Sequence, residues 1–274
     1  MVDKQYKIGA YVMVHNMAPL IPACISSISS WVDGIFIYDD HSTDGSLEAA
    51  KASATCPVFS EKSKSSDVSF RTGELEVRNY LIDRAFEVLD ADILIILDAD
   101  ELLSEEIKSE IFRVLETDKF DSICFSTFHL YDENRYIHLW EADINGTKLI
   151  DPHTRIIKKG KYFTPLFGDG SHPTLEPTAR TLCLDKPLHF HLKYFNKSNL
   201  PNYSLFFLPE KITEEDVSPY LRPITLPENI KRLVSKIDWD SMPEYKELPH
   251  YSSQRVKFDN PSEALIHPKD RPLQ

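Results

Sequence analysis

From residue 7 onward, short apolar runs alternate with amphipathic segments along the chain. No other feature of the sequence constrains the fold as strongly. Each apolar run has the length of a buried strand, and each amphipathic segment has the length and periodicity of a helix. Strand and helix units in this order assemble into a parallel sheet flanked by helices. The sequence therefore predicts an α/β domain.

The individual elements are predicted from hydrophobic periodicity, from β-branched and aromatic residues, and from helix-capping signals. The predicted strands are Ile8 to Val14, Ile35 to Tyr38, Pro57 to Ser60, Asp92 to Leu97, Ser122 to His129, Tyr136 to Leu139, Thr154 to Lys158 and Leu182 to His191. The predicted helices are Leu20 to Ser30, Ser46 to Ser53, Thr72 to Leu89, a helix capped by Ser104 that runs to about Thr117, and Glu228 to Ile237.

The C-terminal part of the chain differs in composition from the rest. Ten of the 18 prolines lie beyond residue 200, and no glycine follows Gly170. We therefore divide the chain into a main domain over residues 1–195 and a Pro-rich extension over 196–274. The extension is expected to be a lid, an oligomer arm or a membrane-facing arm. Within the main domain, residues 1–118 form one half and residues 119–195 the other.

The charge balance limits the classes of partner. The chain has 31 Lys and Arg against 43 Asp and Glu, a net charge of −12, and no block of basic residues. Duplex nucleic acid is therefore excluded as a partner. The four cysteines contain no C-x-x-C pair, and the first apolar stretch, Ile8 to Val14, is far shorter than a membrane span. These features predict a cytoplasmic protein with buried, reduced cysteines, and the inner face of the membrane is a candidate location.

Acidic side chains end two of the predicted strands. Asp39 and Asp40 follow the second strand, and Asp98 and Asp100 follow the fourth. Ligands of an open parallel sheet bind beyond the carboxyl ends of its strands. Residues i and i+2 of an extended segment point the same way, so Asp98 and Asp100 can share one cation. Mg²⁺ or Mn²⁺ could then join these carboxylates to a diphosphate, although a lone Asp-x-Asp is also a common way for a strand to end.

Two of these acidic residues and one arginine suit a nucleotide. Asp39 and Asp40 can accept hydrogen bonds from the imide N–H of uracil or from ribose hydroxyls. The same two residues also suit an Asp-rich turn. Arg78 lies in the apolar stripe of its predicted helix, where its guanidinium could clamp a phosphate, anchor Asp98 or simply reach the edge of the core.

Four motifs occur in order in the first part of the chain: Val12-Met13-Val14-His15-Asn16, Tyr38-Asp39-Asp40-His41-Ser42-Thr43-Asp44-Gly45-Ser46, Arg78-Asn79 and Leu97-Asp98-Ala99-Asp100-Glu101. In order and spacing they resemble the family 2 glycosyltransferases with the GT-A fold, over roughly residues 7–115. The resemblance implies a Rossmann-like, mixed and mainly parallel sheet flanked by helices. It also implies an enzyme that moves a sugar from a nucleotide-sugar, with UDP-sugars favoured, to an acceptor hydroxyl.

The resemblance assigns roles to residues of these motifs. The second Asp of the turn, Asp40, contacts the nucleotide base, Arg78 lies near the diphosphate, and the Asp-x-Asp motif holds the metal and the ribose. Residues 1–118 are then the nucleotide-sugar half and residues 119–195 the acceptor half. The residues assigned to the nucleotide-sugar are Asn16, Asp39, Asp40, Arg78 and Asp98, and those assigned to the metal are Asp98 and Asp100 with one histidine.

The segment Pro152 to Gly160, with Arg155 and the basic Lys158-Lys159, resembles the acceptor-side strand of bacterial lipopolysaccharide-core and related transferases more weakly. Pieces of those enzymes are also similar to Ser171-His172 and Pro187-Leu188-His189-Phe190-His191. A C-terminal histidine completes the metal site in many GT-A enzymes, and His189 is the preferred residue, with His191 as the substitute. Two histidines of a packed strand are the alternative interpretation. Arg155, His172 and His191 are assigned to the acceptor. Where related sequences often have His-Glu, this chain has His172-Pro173, so a carboxylate expected there is absent.

An inverting transfer needs a base within hydrogen-bond reach of the acceptor hydroxyl. The candidates are Asp169, Glu176 and Asp151. Asp169 is favoured because it lies in a Gly-Asp-Gly turn just before the candidate metal histidines, although an Asp between glycines is also an ordinary turn signal. The sequence does not settle inversion against retention.

Two other classes of protein fit part of the sequence. Haloacid-dehalogenase-like phosphotransfer enzymes also have a strand that ends in Asp-x-Asp, but they have Thr or Val where this chain has Leu102. A non-catalytic binder of nucleotide-sugars or glycans would share the fold and lack a working base. For a transferase, the expected partners are a nucleotide-sugar and a glycan, lipid-linked or small-molecule acceptor, with peripheral membrane association and homo-oligomers as further candidates.

Overall fold

The computed structural model describes residues 6–63, 74–117, 119–138, 140–161, 175, 177–195 and 218–239. Within them the strands are β1 (Ile8–Val14), β2 (Gly34–Asp39), β3 (Val58–Lys62), β4 (Ile93–Asp98), β5 (Glu101–Leu103), β6 (Ser122–Leu130), β7 (Arg135–Ile137), β8 (Glu141–Ile144), β9 (Thr147–Ile150), β10 (His153–Lys158), β11 (Thr181–His191) and β12 (Leu221–Pro223). The helices are α1 (Ile21–Ile28), α2 (Ser46–Ser53), α3 (Glu74–Leu89), α4 (Lys108–Glu116) and α5 (Glu228–Val234), with 3-10 turns at Glu105–Ile107 and Ser218–Tyr220.

Most of these strands form one mixed sheet, whose main path runs β12-β7-β6-β10-β4-β1-β2-β3. β3, β2, β1 and β4 are parallel neighbours, and β10 runs antiparallel between β4 and β6. β11 pairs with β6 and also with the short β5. All of β1 and residues 93–97 of β4 are buried, as expected of strands covered on both faces. The predicted α/β fold with a mixed, mainly parallel sheet is confirmed.

Alternate residues of β1 face opposite layers of the molecule, as the period of a strand requires. Val12 and Val14 belong to a core cluster that includes buried residues of α1, α4 and α5. Tyr11 and Met13 pack in a second cluster with Leu81 and other residues of α3. The sheet therefore has α3 on one face and α1, α4 and α5 on the other.

Gly9 in β1 lies beneath the C-terminal end of α3. A Cβ atom at residue 9 would lie 2.8 Å from Leu89 Cδ1 and 3.0 Å from Ala91 Cβ. The bare backbone therefore allows α3 to pack closely on the sheet. α3 also carries Arg78, one of the residues that the sequence analysis assigned to the nucleotide-sugar.

Three features differ from the sequence prediction. The Asp-x-Asp motif is not a continuous strand, since β4 ends at Asp98 and a turn leads into β5. β8 and β9 form an unpredicted hairpin whose turn residues, Asn145 and Gly146, have φ angles of 53° and 79°. β12 is also unpredicted, because it forms by pairing with the distant β7.

Part of the Pro-rich extension belongs to the main body of the protein. β12 joins the large sheet, and Ile230 and Val234 of α5 are buried in the core cluster of α1. The domain boundary at residue 195 stays a prediction. Among the residues that the structure describes, no helix is both long enough and apolar enough to cross a membrane.

Candidate functional site

The acidic ends of β2 and β4 lie at one edge of the sheet, with the end of β1 between them. Val14 of β1 pairs with Asp39, and Met13 pairs with Asp98. Neighbouring strands are about 4.8 Å apart, so the two acidic strand ends are separated by about 10 Å. The carboxyl ends of β6 and β11 lie at the same edge, because β10 is antiparallel to both β4 and β6 and β11 is parallel to β6.

At the end of β2, Asp39 shapes the turn and Asp40 follows it. The Asp39 side chain is 2% exposed, and its Oδ2 lies 3.4 Å from Lys62 Nζ. Its Oδ1 accepts a hydrogen bond of 2.7 Å from the backbone N–H of Ser42. The backbone of Asp40 donates to the carbonyl of Val14 at 2.8 Å, and its own carbonyl lies 2.5 Å from His15 Nδ1. These contacts fix the backbone position from which the Asp40 side chain projects.

Asn16 joins the loop after β1 to the turn after β2. Its backbone N–H donates to Ser42 Oγ at 3.0 Å, and its Oδ1 accepts from the N–H of Thr43 at 2.9 Å. Its φ of 49° lies in the left-handed region, which Asn tolerates better than most residues. The described contacts of Asn16 therefore hold the Asp40 turn in place.

At the end of β4, Asp98 lies between two arginines. Arg78 places both terminal nitrogens 3.2 Å from Asp98 Oδ1. Arg155 Nη2 lies 3.1 Å from Asp98 Oδ2. Arg78 and Arg155 are both buried. Arg155 therefore lies beside the Asp-x-Asp motif, and its acceptor role stays a prediction.

Beneath these residues lies Glu101, a functional candidate to which the sequence analysis assigned no role. Its side chain is 1% exposed and makes an ion pair with Arg155. Burial alone would raise the pKa of Glu101, but attraction to Arg155 and His189 outweighs it and holds the pKa well below its usual value. The sequence did show an acidic residue directly after the Asp-x-Asp motif. Only the fold shows that the side chain of this residue points into the protein.

Asp100 is paired with His191 across the turn between β4 and β5. Asp100 Oδ2 lies 3.0 Å from His191 Nε2, and the side chains are 10% and 17% exposed. Burial would raise the pKa of Asp100, but His191 outweighs burial and lowers it. Burial would lower the pKa of His191, but Asp100 raises it above its usual value. Asp100 and His191 therefore stabilise each other's charged forms.

His189, the preferred metal histidine, is enclosed by protein, and its metal role stays a prediction. His189 is fully buried, with Nδ1 3.0 Å from Thr127 Oγ1 and Nε2 3.4 Å from Glu101 Oε1. It therefore packs under the site, and burial lowers its pKa. The histidine in contact with Asp100 is His191, the predicted substitute.

The predicted metal ligands do not form a single cluster. Within the described ranges, no group of three or more His, Cys, Asp or Glu side chains is placed to hold a metal ion. The structure instead shows two separate contacts, one between Asp98 and the arginines and one between Asp100 and His191.

Of the three candidate bases, Asp151 is the one that the structure describes, and it is already fully engaged. His129 Nε2 lies 2.5 Å from its Oδ2, and Trp140 Nε1 donates to its Oδ1 at 2.7 Å. Burial would raise its pKa, but His153 and His129 outweigh burial and hold it well below its usual value. Such a carboxylate is a weak base. Asp169, Glu176 and His172 lie outside the described residues.

Comparison with solved structures finds chains that are similar to this one over part of their length. They include S. aureus TarS 1-349, with 15% identity, a TM-score of 0.48 and coverage of 68% of this chain and 60% of that chain. The same TarS fragment in complex with UDP-GlcNAc has 15% identity, a TM-score of 0.47 and coverage of 67% and 58%. Glucosyl-3-phosphoglycerate synthase from Mycobacterium tuberculosis, in complex with Mn²⁺, UDP and glucosyl-3-phosphoglycerate, has 21% identity, a TM-score of 0.34 and coverage of 46% and 44%.

This chain thus spans 60% or less of the length of these solved chains. No curated protein matches its sequence. A family model described as Glycosyl transferase family 2 matches residues 10–172, which is more than half of the chain. The matched range contains both acidic strand ends and both arginines, while His191 lies beyond it. The chain belongs to glycosyl transferase family 2, and its sheet is that of the GT-A fold.

Proposed function

We propose that this glycosyltransferase uses a nucleoside-diphosphate sugar, with UDP-sugars favoured, and transfers the sugar to an acceptor hydroxyl with inversion. One observation carries the proposal. The acidic ends of β2 and β4 lie about 10 Å apart at one sheet edge, and two arginines flank one of them. A nucleoside diphosphate matches this edge, because its base and ribose donate hydrogen bonds and its diphosphate attracts cations.

Asp40 is proposed to bind the uracil imide or the ribose, while Asp39 and Asn16 hold its turn in shape. Arg78 is proposed to bind the diphosphate. A guanidinium can bind a phosphate through two parallel N–H groups, and Asp98 already holds that of Arg78 at the site. Asp98 thereby contributes to the donor site through Arg78.

Asp100 and His191 fit a divalent cation. A carboxylate and an imidazole 3.0 Å apart, both slightly exposed, are a ligand pair that suits Mn²⁺, whereas Mg²⁺ favours oxygen ligands. Two protein ligands are enough where diphosphate oxygens and water supply the others. When bound, such an ion stabilises negative charge on the departing nucleoside diphosphate. Both oxygens of Asp98 accept hydrogen bonds from arginines. Asp98 could therefore become a ligand of the ion only by releasing one of these arginines.

The base of the reaction is proposed to be Asp169, with Glu176 as the alternative. Asp151 is a poor candidate because His129 and Trp140 bind both of its carboxylate oxygens. His172 and His191 are proposed to bind the acceptor, and His191 would also be a ligand of the ion. A glycan, a lipid-linked sugar or a small hydroxyl compound is the proposed acceptor. Cytoplasmic location at the inner face of the membrane and self-association belong to the same proposal.

Metal-dependent turnover of a donor tests the proposal. Release of UDP from a panel of UDP-sugars is measured with Mn²⁺ and with EDTA, in the wild-type chain and in Asp100→Asn. Loss of the ion's charge stabilisation, several kcal/mol, predicts a fall of about 100-fold or more in Asp100→Asn. The matched control is Asp121→Asn, since Asp121 binds Arg180 at the opposite edge of the sheet.

Equal UDP release by the wild type and by Asp100→Asn would contradict the proposed metal site. UDP binding without any turnover would indicate the non-catalytic binder instead. A nucleoside diphosphate other than UDP that alone supports turnover would correct the choice of nucleotide and leave the reaction class unchanged.

A further inference from the structure

A closed ring of polar contacts surrounds the turn that follows β4. The backbone N–H of Asp98 donates to Glu101 Oε2 at 3.0 Å. Glu101 Oε1 binds Arg155 Nη2, and the same nitrogen donates to Asp98 Oδ2 at 3.1 Å. The backbone and the side chain of Asp98 are therefore fastened by the same two residues.

Both partners of Asp98 in this ring are enclosed by protein. Glu101 is fully buried and Arg155 is 7% exposed. Burial would lower the pKa of Arg155, but Glu101 and Asp98 outweigh it and raise it, so both groups stay ionised. A buried ion pair is often no more stabilising than an apolar pair of similar volume. Its place directly beneath the Asp-x-Asp motif therefore calls for an explanation other than stability.

The ring is connected to both parts of the proposed donor site, the Arg78 guanidinium and the Asp100–His191 pair. On one side, Asp98 holds the two terminal nitrogens of Arg78. On the other, the carbonyl of Asp100, within the same turn, accepts a hydrogen bond of 2.9 Å from the N–H of Leu192. That bond ties the turn to the end of β11, next to His191. The position of every group proposed to meet the diphosphate therefore depends on the turn that the ring closes.

We propose that Glu101 and Arg155 are positioning residues of the nucleotide-sugar site. They do not touch the donor. They fix the Asp98 carboxylate between two guanidiniums, and through it they hold Arg78 in the direction from which it binds the diphosphate. This inference rests on the proposed function, since it assigns a role within that same donor site.

Neutralising Glu101 should open the ring. In Glu101→Gln one carboxylate oxygen becomes an NH2 group, so either Arg155 or the backbone N–H of Asp98 faces a donor in place of an acceptor, and the negative charge is lost. Arg155 then depends more on Asp98 and competes with Arg78 for it. Loss of an outer partner of a binding site typically costs about 10–100-fold, and we expect a weakening of UDP binding in that range.

The experiment measures binding of UDP, and of GDP as a second probe, by isothermal titration calorimetry, with and without Mn²⁺, for four chains. They are the wild type, Glu101→Gln, the double variant Glu101→Gln/Arg155→Met and the control Asp121→Asn. The double variant removes both charges together, so it avoids an unpaired buried ion and is expected to fold. Both site variants should bind UDP about 10–100-fold more weakly, and the control should bind like the wild type.

Two readouts separate positioning from a merely structural role. A structural defect lowers the fraction of competent protein, and hence the calorimetric stoichiometry, whereas mispositioning raises the Kd at full stoichiometry. A folded double variant that binds UDP with wild-type Kd would overturn the inference alone. A wild-type chain that binds neither UDP nor GDP would overturn the proposed function and the inference with it.

Discussion

Substituting Gly9 by alanine should destabilise the fold by crowding the contact between β1 and α3. The new Cβ would lie 2.8 Å from Leu89 Cδ1 and 3.0 Å from Ala91 Cβ. Ordinary contact begins near 3.4 Å. The Leu89 methyl can rotate away, but the Cβ of Ala91 is fixed to the backbone just before β4, so one of the two clashes cannot be relieved without moving the main chain.

The expected size follows from two opposing effects. Overpacking of a filled core costs about 1–3 kcal/mol. Alanine is favoured over glycine within a strand by about 0.5–1 kcal/mol. The net loss for Gly9→Ala is therefore about 1–2 kcal/mol.

Urea denaturation followed by circular dichroism measures this loss. With ordinary m values, a loss of this size lowers the midpoint by roughly 0.5–1 M. The matched control is Gly34→Ala on the neighbouring strand, where the closest contact is 3.0 Å to Leu89 Cδ2, a flexible side-chain end, and where the loss should be smaller. A Gly9→Ala protein as stable as the wild type, or less affected than Gly34→Ala, would refute the reasoning.

Three further predictions concern Asp40, Asp39 and His129. Asp40→Asn should weaken UDP binding about tenfold with little change in stability, as calorimetry and urea titration of one preparation would show. Asp39→Asn should do the reverse and lower stability by about 1–3 kcal/mol, because its carboxylate accepts a buried backbone N–H; an effect on Kd alone would contradict this. Burial, opposed by Asp151, lowers the pKa of His129 to about 4. The unfolded chain therefore takes up a proton below about pH 6.5 that the folded chain does not accept until about pH 4, and stability falls with pH across this window. His129→Gln should reduce that fall between about pH 7 and pH 5, and an unchanged slope would contradict the assignment.

Elements whose pattern is set by local sequence could be predicted well. The nearly unbroken apolar run of β4 predicted a strand covered on both faces, the apolar run Ile8 to Val14 predicted β1, and the helix at Ser46–Ser53 has the predicted bounds. The periodic stripe of α3 likewise predicted a helix that ends at Leu89. In each case the residues that determine the element lie within it.

Elements that depend on distant partners could not be predicted in the same way. β5 has only three residues and forms because β11, almost ninety residues later, pairs with it. β12 similarly needs β7. The hairpin of β8 and β9 is different, because Asn145-Gly146 is a hairpin signal that could have been read from the sequence.

The candidate site shows the same division. The acidic strand ends and Arg78 could be named from sequence because strand ends meet at one edge of a parallel sheet. Which of His189 and His191 contacts Asp100 could not be predicted, because it depends on the pairing of β11 with β5. The inward direction of Glu101 and its ring with Arg155 depend on the same tertiary contacts.

Binding of one nucleotide-sugar by two strand ends is tested most directly by a crystal structure of the chain with UDP and Mn²⁺. The expected result is a single UDP whose uracil or ribose contacts Asp40 and whose diphosphate contacts Arg78 and an ion held by Asp100 and His191. A UDP molecule that reaches only one of the two acidic strand ends, or that binds away from this edge of the sheet, would contradict it.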